Sequence, residues 1–328
     1  MQLIINRSHN PAFNLAMEEY LLAQTDIQLI MLWRNDRSVI IGKNQNALEE
    51  IDEAFVKAND IAVIRRMSGG GAVFHDLGNI NYTIITKRHS DDFGGYAAFT
   101  SPVRNYLKTL GIDAEFSGRN DLVIEGKKFS GNAQAVKNNR IMHHGCILFD
   151  ANVADLARAL APKAEKIESK GVKSVRSRVT NVASHLSSPM TPEQFFDGLA
   201  SYFKSSVDGI EEYALTDIDL AAAQKLCDEK YSKWDWNFGS SPGYDLKNSK
   251  RFEFGTVDVH LEVSKGGSIE NVVFYGDFFG ILDKIGLEDA LKGAYHEKSA
   301  IMSDLEKIEV GNYIHGMNSE QIAELLCF

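Results

Sequence analysis

Cysteine is scarce in this sequence of 328 residues, and the few cysteines are scattered. Cys146, Cys227 and Cys327 make an odd number, and neither a CxxC pair nor an HExxH motif occurs. This argues against a disulfide framework and against a structural zinc site. The cysteine content therefore fits a protein of the reducing cytoplasm.

Long apolar runs are also missing. No stretch approaches the roughly 18 uninterrupted apolar residues that suggest a membrane span. The N-terminal stretch MQLIINRSHNPAFNLAMEEYLL lacks the basic-then-apolar order of a secretory signal. We therefore expect a cytoplasmic protein that has no membrane partner.

The sequence lacks a surplus of positive charge, since its formal net charge is −10. Proteins that bind long nucleic acids normally carry a basic patch or have a high isoelectric point, so no nucleic-acid partner is expected. Neither GxxxxGK[ST] nor GxGxxG after a strand occurs, which argues against a P-loop and against a Rossmann nucleotide site. Basic residues nevertheless cluster locally, which is compatible with a pocket for a small anion.

The most informative segment is RRMSGGGAVFHDLGNINY, residues 65–82. Its glycine triplet lets the backbone adopt conformations closed to other residues and brings main-chain N–H groups close to a ligand. Its arginines offer planar donors for carboxylate or phosphate oxygens. A bare triplet more often marks a tight turn between strands. Together with the arginines, Ser68 and His75, it favours a loop that holds an anionic group.

Two further basic segments could contribute to such a site. In GKKFSGNAQ (126–134), Lys128 stands beside small polar residues, where an ammonium group could stabilise a phosphate or a developing oxyanion. A solvent-exposed hairpin lysine is an equally good interpretation. The segment KGVKSVRSRVTNV (170–182) carries cations between small residues, which suits either a loop near an anion or an ordinary solvated loop.

The segment HHGCILFD (143–150) joins a histidine pair to a strand. No third metal ligand is evident, so we predict a structural role for the histidines and a partly buried thiol for Cys146. A cysteine nucleophile beside a histidine is the alternative interpretation.

Hydrophobic periodicity and short turns between strands predict an α+β protein with mixed and antiparallel sheets. The segment NFGSSPGYDLKNSK (237–250) is rich in turn formers and predicts a linker. We therefore expect a large domain of residues 1–243 and a small α+β domain of residues 244–328, the latter with two strands followed by helices. The other predicted elements are helices at 11–24 (with Glu18 and Glu19 facing outward), 46–58, 98–110, 153–160 and 192–206, strands at 27–33, 38–42, 61–67, 72–75 and 81–87, and a three-stranded meander at 121–150.

Several motifs occur together in an order that resembles the lipoate–protein ligases. They are NLAMEEYLL, WRNDRSVIIGKNQN, RRMSGGGAVFHDLGNINY, NDLVIEGKKFSGNAQ, HHGCILF and SVRSRVTN. The resemblance covers residues 10–185 strongly, and the remainder fits the small C-terminal domain of the long form of this family. It implies a catalytic domain similar to those of class II aminoacyl-tRNA synthetases and biotin ligases.

The resemblance also implies an activity. Members of the family use ATP and Mg²⁺ to convert lipoate into lipoyl-AMP and pyrophosphate. They then transfer the lipoyl group to a lysine of an apo lipoyl-carrier domain, in E2 subunits of 2-oxoacid dehydrogenases or in the glycine-cleavage H protein. We expect the same substrates and partners here.

Matching motifs imply the site residues. Lys128 is expected to be catalytic and to contact both the acyl carbonyl and the α-phosphate. The segment 170–182 is expected to close over the intermediate. The residues expected to bind ATP or the acyl-adenylate are Arg66, Gly71, Ala72, Val73, Phe74, Asn120, Asp121 and Lys128, with Asp121 also the candidate magnesium ligand. Those expected to bind lipoate are Ser68, Gly70, Gly71, His75 and Lys128, and the candidate walls of an apolar slot are Val39, Ile40, Ile41 and Val73.

One position departs from the family pattern, because Cys146 stands where a threonine is typical. This keeps open an octanoyl- or lipoyl-transferase of the same fold, which would use a Cys146 thioester and no ATP. A non-catalytic binder of lipoate or of a lipoylated carrier is a third possibility. The small C-terminal domain favours the ligase, since such transferases usually lack it.

Overall fold

A computed structural model gives the structure of residues 1–24, 28–89, 93–160, 178–238, 246–264 and 267–327. These residues form two compact units. The first unit contains residues 1–41, 47–66 and the described part of 73–238, and the second contains residues 42–46, 67–72 and the described part from Leu246 onward. No helix in these ranges is long and apolar enough to cross a membrane.

Two sheets organise the first unit. The strands are β1 (Gln2–Ile5), β2 (Leu29–Trp33), β3 (Ser38–Ile41), β4 (Ala62–Arg65), β5 (Val73–His75), β6 (Asn79–Lys87), β7 (Glu115–Ser117), β8 (Asp121–Ile124), β9 (Lys127–Lys137), β10 (Arg140–Leu148) and β11 (Glu211–Glu212). The larger sheet is mixed, in the order β11-β1-β2-β6-β10-β9-β8-β7, and in the smaller sheet β3 pairs in parallel with β4 and antiparallel with β5. The antiparallel β8-β9-β10 meander confirms the prediction for residues 121–150.

Local sequence signals explain where the helices of this unit begin. Asn10 caps the first helix by accepting hydrogen bonds from two backbone N–H groups, and a proline follows at the first helical position. The predicted helix at 46–58 is wrong in one respect, because Asp52 caps a new helix and divides it. The helices are α1 (Pro11–Ala23), α2 (Ala47–Glu50), α3 (Glu53–Ala58), α4 (Tyr96–Thr109), α5 (Val153–Ala159), α6 (Pro192–Ser206), α7 (Asp217–Leu226) and α8 (Trp234–Asn237), with a 3₁₀ helix at Val182–His185 and a π-helical turn at Cys227–Tyr231.

The apolar core of the first unit lies on one face of the large sheet, where Tyr82 and Phe129 pack against side chains of α4 and α6. Helix α1 contributes two buried acidic residues, so the expectation that Glu18 and Glu19 face outward is wrong. Glu19 is held by Lys137 and Lys230. Burial alone would raise the pKa of Glu19, but Lys230 and the other nearby donors outweigh it and keep that pKa below its usual value. Both glutamates are buried because partners elsewhere in the chain satisfy them.

The second unit is a three-stranded antiparallel sheet covered by helices. Its first strand begins within the predicted linker 237–250 and continues into residues predicted to belong to the next strand, and it escaped prediction as a separate strand because its side chains are mostly polar and exposed. The unit therefore has three strands where two were expected. Its elements are β12 (Leu246–Phe252), β13 (Gly255–Val263), β14 (Ile269–Gly276), α9 (Ile285–Leu291), α10 (Lys298–Leu305), α11 (Val310–Tyr313) and α12 (Ser319–Leu326).

Candidate active site

A β-bulge determines which face of the large sheet carries Lys128. Val123 pairs with Lys128, while the preceding Leu122 pairs with Ser130, so Phe129 is an extra residue on β9. Side chains alternate along a strand, and directly opposite residues share a face. Without the extra residue Lys128 would lie on the core face with Ser130. With it, Lys128 lies on the other face.

On that face, one line of residues crosses the sheet from strand to strand. The register pairs each member directly with the next. Because neighbouring strands are about 4.8 Å apart, the line is about 19 Å long. We call it the cross-strand row, and it consists of Trp33 (β2), Asn81 (β6), Cys146 (β10), Gly131 (β9) and Asp121 (β8).

The ammonium group of Lys128 is folded back over Gly131. A Cβ atom at position 131 would lie 3.1 Å from Lys128 Nζ, so glycine leaves room for this arrangement. Lys128 Nζ also pairs with Asp121 Oδ1 at 2.8 Å, and the two side chains are 41% and 34% exposed. Such a pair contributes little to stability, and its ammonium group remains accessible to a ligand. The backbone of Lys128 is held as well, because its carbonyl accepts a hydrogen bond from Thr180 N–H at 2.9 Å.

Arg66 brings a second positive charge close to Cys146. Its guanidinium group is buried and donates to the carbonyl of Ile40 at 3.1 Å. Burial lowers the pKa of Arg66 to about 10, although the nearby Cys146 and Glu18 act in the opposite direction. Arg66 therefore stays charged at neutral pH.

A chain of hydrogen bonds borders the cross-strand row. Trp33 Nε1 donates to Thr83 Oγ1 at 2.9 Å, and Thr83 in turn donates to Glu18. Glu18 also lies 2.9 Å from His144 Nδ1. Thr83 and His144 face the same side as the row, because each is two residues along its strand from a member of it. This network forms a wall of paired polar groups beside the row.

Two buried polar groups near this wall lack a hydrogen-bond partner among the described residues. Asn81 is 1% exposed, and neither atom of its amide is paired. Asn35 Nδ2 donates to His75 Nδ1 at 3.1 Å, so the proton of the neutral ring is on Nε2, which is also unpaired. Burial lowers the pKa of His75 to about 3, assisted by the charge of Arg66. Unpaired buried groups are rare and need a physical reason, such as a ligand.

Replacing Asn81 by leucine should raise the free energy of unfolding by about 1 kcal/mol, since an unpaired buried amide is costly and leucine has a similar size. Chemical denaturation measures this change. The control is Thr83→Val, which removes the acceptor of Trp33 Nε1 and one of the hydrogen bonds to Glu18, and it should lower the free energy of unfolding by a similar amount. Equal destabilisation by both substitutions would contradict the prediction.

The three glycines of the triplet have different requirements within the second unit. A Cβ atom at Gly69 would lie 2.2 Å from the carbonyl oxygen of Phe278, and Gly70 has a φ of 90°. A Cβ atom at Gly71 would have no described atom within 4 Å. Packing therefore requires glycine at 69 and backbone conformation requires it at 70. Neither requires it at 71.

The predicted site residues are divided between the two units. Within the first unit Asp121 and Lys128 are in contact, whereas Asn120 is hydrogen-bonded to Asn132. Residues 161–177 lie outside the described residues, so of the predicted closing segment 170–182 only the end from Arg178 is described. Arg66, Val73, Phe74, His75, Asn120, Asp121 and Lys128 belong to the first unit, Ser68, Gly70, Gly71 and Ala72 belong to the second, and the candidate slot residues Val39, Ile40 and Ile41 are buried in β3.

Sequence reasoning missed the cross-strand row and the wall beside it. The available signal was the histidine pair, because adjacent residues of a strand point to opposite faces. His144 reaches Glu18, while His143 stacks on Phe99 in the core with ring centroids 5.0 Å apart. The predicted structural role of the pair fits these contacts.

Asp121 is the candidate magnesium ligand. In the described ranges no three His, Cys, Asp or Glu side chains gather into a metal site. A single carboxylate fits Mg²⁺ when nucleotide phosphates supply the other ligands, which is the usual arrangement for this ion.

Family models match most of the chain. Residues 10–204 match the lipoyl protein ligase A/B catalytic domain, and residues 241–326 match the bacterial lipoate protein ligase C-terminus. The chain belongs to the lipoate–protein ligase family. It is an enzyme of the ligase class, as the resemblance implied.

Relatives in this ligase family match the chain along its length. Lipoate-protein ligase LplJ of Bacillus subtilis is 44% identical over 331 residues, which cover 99% of this chain and 100% of that protein. Lipoate–protein ligase 1 of Staphylococcus aureus is 37% identical over 98% of each chain.

Solved structures of ligases share the fold. LipL1 of P. falciparum in complex with lipoate has a TM-score of 0.79 at 26% identity and covers 99% of each chain. A lipoate-protein ligase A bound with ATP has a TM-score of 0.63 at 29% identity and covers 73% of this chain and 98% of that chain. The predicted α+β fold, with mixed and antiparallel sheets and a C-terminal α+β part, is confirmed.

Proposed function

We propose that this ligase activates lipoate with ATP and transfers the lipoyl group to a lysine of an apo lipoyl-carrier domain. The observation that carries the proposal is the bulge of β9, which puts the ammonium group of Lys128 beside Gly131 and Asp121 on the face of the cross-strand row. The lipoate complex and the ATP complex of related ligases support the choice of substrates. Residues 1–243 are the proposed catalytic domain and residues 244–328 the proposed accessory domain.

The first proposed step joins two anions. A carboxylate oxygen of lipoate attacks the α-phosphorus of ATP, the bond from that phosphorus to the bridging oxygen breaks, and pyrophosphate leaves. The ammonium group of Lys128 offsets the repulsion between the carboxylate and the phosphate, so catalysis is mainly positioning and electrostatic stabilisation. Mg²⁺, when bound with ATP, neutralises charge on the phosphates, and Asp121 is its proposed protein ligand.

The other site residues have proposed roles in binding. Arg66 supplies a buried permanent charge for the nucleotide, and His75 offers its unpaired Nε2–H to lipoate. Gly71 leaves space for close approach of a ligand to the backbone. The remaining proposed contacts are Ala72, Val73, Phe74 and Asn120 for the adenylate and Ser68 and Gly70 for lipoate.

The cross-strand row suggests a path for the lipoyl chain. From Gly131 to Asn81 the row covers two strand spacings, about 10 Å, which is similar to the length of an extended eight-carbon chain. With its carboxyl group at Lys128, the chain would extend past Cys146 toward Asn81. This path lies beside the wall formed by Glu18 and its partners.

The second proposed step is transfer to the carrier. The ε-amine of the carrier lysine attacks the acyl carbonyl, the bond from the acyl carbon to the phosphate oxygen breaks, and AMP leaves. Lys128 stabilises the oxyanion that develops on the carbonyl oxygen. The proposed carriers are the E2 subunits of 2-oxoacid dehydrogenases and the glycine-cleavage H protein. In Thermoplasma acidophilum a bipartite lipoate protein ligase and its E2 lipoyl domain form a lipoylation system, which supports the first of these carriers.

The test of this function is mass spectrometry of an apo carrier domain after incubation with the protein, ATP, Mg²⁺ and lipoate. We expect a lipoylated carrier only when both ATP and lipoate are present, together with release of pyrophosphate. Absence of both lipoyl-AMP and modified carrier would refute the proposal.

Cys146→Ala separates the ligase from a thioester transferase. Since the proposed steps use no covalent enzyme intermediate, the variant should keep its ATP-dependent activity to within about threefold of the wild type. The same carrier assay measures it. Loss of all transfer would show that the thiol is the nucleophile.

A further inference from the structure

Asn132 joins the two strands that carry Asp121 and Lys128. Its backbone N–H and its Nδ2 both donate to the carbonyl of Asn120 at 3.0 Å, and Asn120 Nδ2 donates back to the carbonyl of Asn132. We call these three hydrogen bonds the asparagine clasp. The clasp lies one pair beyond Asp121 and Gly131, on the far side of the bulge from Lys128.

The core holds Asn132 from the other side. Its Oδ1 accepts a hydrogen bond from the hydroxyl of Tyr82 and lies 3.2 Å from His143 Nε2. Gly145 stands directly opposite, and a Cβ atom there would lie 2.2 Å from Asn132 Oδ1. Asn132 is 4% exposed, and its whole amide is engaged between the core and the clasp.

The register between β8 and β9 decides where Lys128 points. A shift of one residue moves every side chain of the shifted strand to the opposite face. β10 holds β9 only from Ser130 onward, so among the described strands Lys128 is paired with β8 alone. A slip between β8 and β9 that removes the bulge would therefore turn the side chain of Lys128 to the face that carries Ser130, away from the cross-strand row. It would also place Gly131 or Ala133 opposite Asn120, and neither has a side-chain amide that could replace the Nδ2 donor of the clasp.

We infer that Asn132 is a positioning residue: the asparagine clasp fixes the β8–β9 register and so keeps Lys128 on the face of the cross-strand row. The inference rests on the proposed role of Lys128 in the ligase reaction. Asn132 therefore acts through the strand that carries the lysine and not by contact with substrate.

A double-mutant cycle in the full-length protein tests the inference. Asn132→Ala removes the Nδ2 bond of the clasp. It should lower kcat for lipoyl-AMP formation about tenfold, with KM for ATP changed less than about twofold, because the lysine is then misplaced in about nine-tenths of the molecules. In a Lys128→Ala background the same substitution should change kcat by less than about twofold, since no lysine is left to misplace. An equal fold-loss in both backgrounds would overturn the inference.

Gln134→Ala is the matched control. Gln134 lies two residues further along β9 on the same face, accepts a hydrogen bond from Gly94 N–H at 2.8 Å, and also contacts His143. It does not take part in the clasp. Its replacement should lower the melting temperature about as much as Asn132→Ala while leaving kcat within about twofold of the wild type.

A second variant covers a folding failure, and the failure of the inference can be distinguished from the failure of the proposed role of Lys128. Should Asn132→Ala not fold, Asn132→Asp keeps the oxygen that faces Tyr82 and His143 but has no side-chain N–H to donate to Asn120, and it should show the same dependence on Lys128. If Lys128→Ala alone retains full activity, the assigned role of Lys128 and the inference both fail. If Lys128→Ala is inactivating but the losses multiply, only the inference fails.

Discussion

Lys128→Ala should lower kcat/KM for lipoyl-AMP formation about a hundred- to a thousandfold. This corresponds to about 3–4 kcal/mol of lost transition-state stabilisation, as when one donor to a developing oxyanion is removed. Among the described residues the ammonium group lies over Gly131 and pairs with one partly exposed carboxylate, that of Asp121, so it is positioned there without being neutralised by a buried network. Pyrophosphate release at varied ATP and lipoate concentrations measures the effect.

Lys127→Ala is the control for this prediction. Lys127 is the adjacent residue, it is exposed, and it pairs with Ile124, so its side chain belongs to the opposite face of the strand. Its replacement should change kcat/KM by less than about twofold. Neither variant should unfold more easily, because a half-exposed ion pair contributes only about 0–1 kcal/mol. A Lys128→Ala enzyme that stays within tenfold of the wild type would contradict the assigned role.

The sequence predicted the helices and strands whose apolar residues recur with a clear helical or strand periodicity. The helix at Pro11–Ala23 begins at an asparagine followed by proline, and the helix at Pro192–Ser206 begins after a threonine that caps it. The β8-β9-β10 meander follows from short turns between strands. The motifs were enough to predict the family, because several independent motifs in the correct order are far more specific than any one motif alone.

Features that depend on distant partners could not be predicted. Glu18 and Glu19 looked like the exposed side of a helix, since nothing nearby in the sequence indicates that His144 and Lys230 meet them. The bulge at Phe129 is equally hidden, because an aromatic residue after Lys128 fits a regular strand as well as a bulged one. As a consequence Lys128 could be singled out by type, but the face on which it lies could not.

The glycine triplet shows the same limit at single residues. Sequence reasoning treats the three glycines alike, because each removes a Cβ atom. Gly69 proves to be required by the carbonyl of Phe278, more than 200 residues away in the sequence. Only the structure separates this packing requirement from the open space at Gly71.

Gly71→Ala should lower kcat/KM for ATP about tenfold or more without destabilising the protein. The added methyl group meets no described atom within 4 Å, and the φ of Gly71 is not in the left-handed region. The free energy of unfolding should therefore stay constant or rise by about 0.4–1 kcal/mol, since alanine has less conformational freedom than glycine in the unfolded chain. Activity should fall because the methyl group occupies the space into which the nucleotide is proposed to bind.

Gly69→Ala is the counterpart, and the pair distinguishes packing from ligand binding. Its methyl group would lie 2.2 Å from a backbone oxygen, so the second unit must shift, and the cost should be about 1–3 kcal/mol of stability. Thermal denaturation and pyrophosphate release, measured on both variants, should give opposite patterns: Gly69→Ala loses stability first, and Gly71→Ala loses activity alone. A stable and fully active Gly71→Ala enzyme would show that the open space beside this glycine is not where the nucleotide binds.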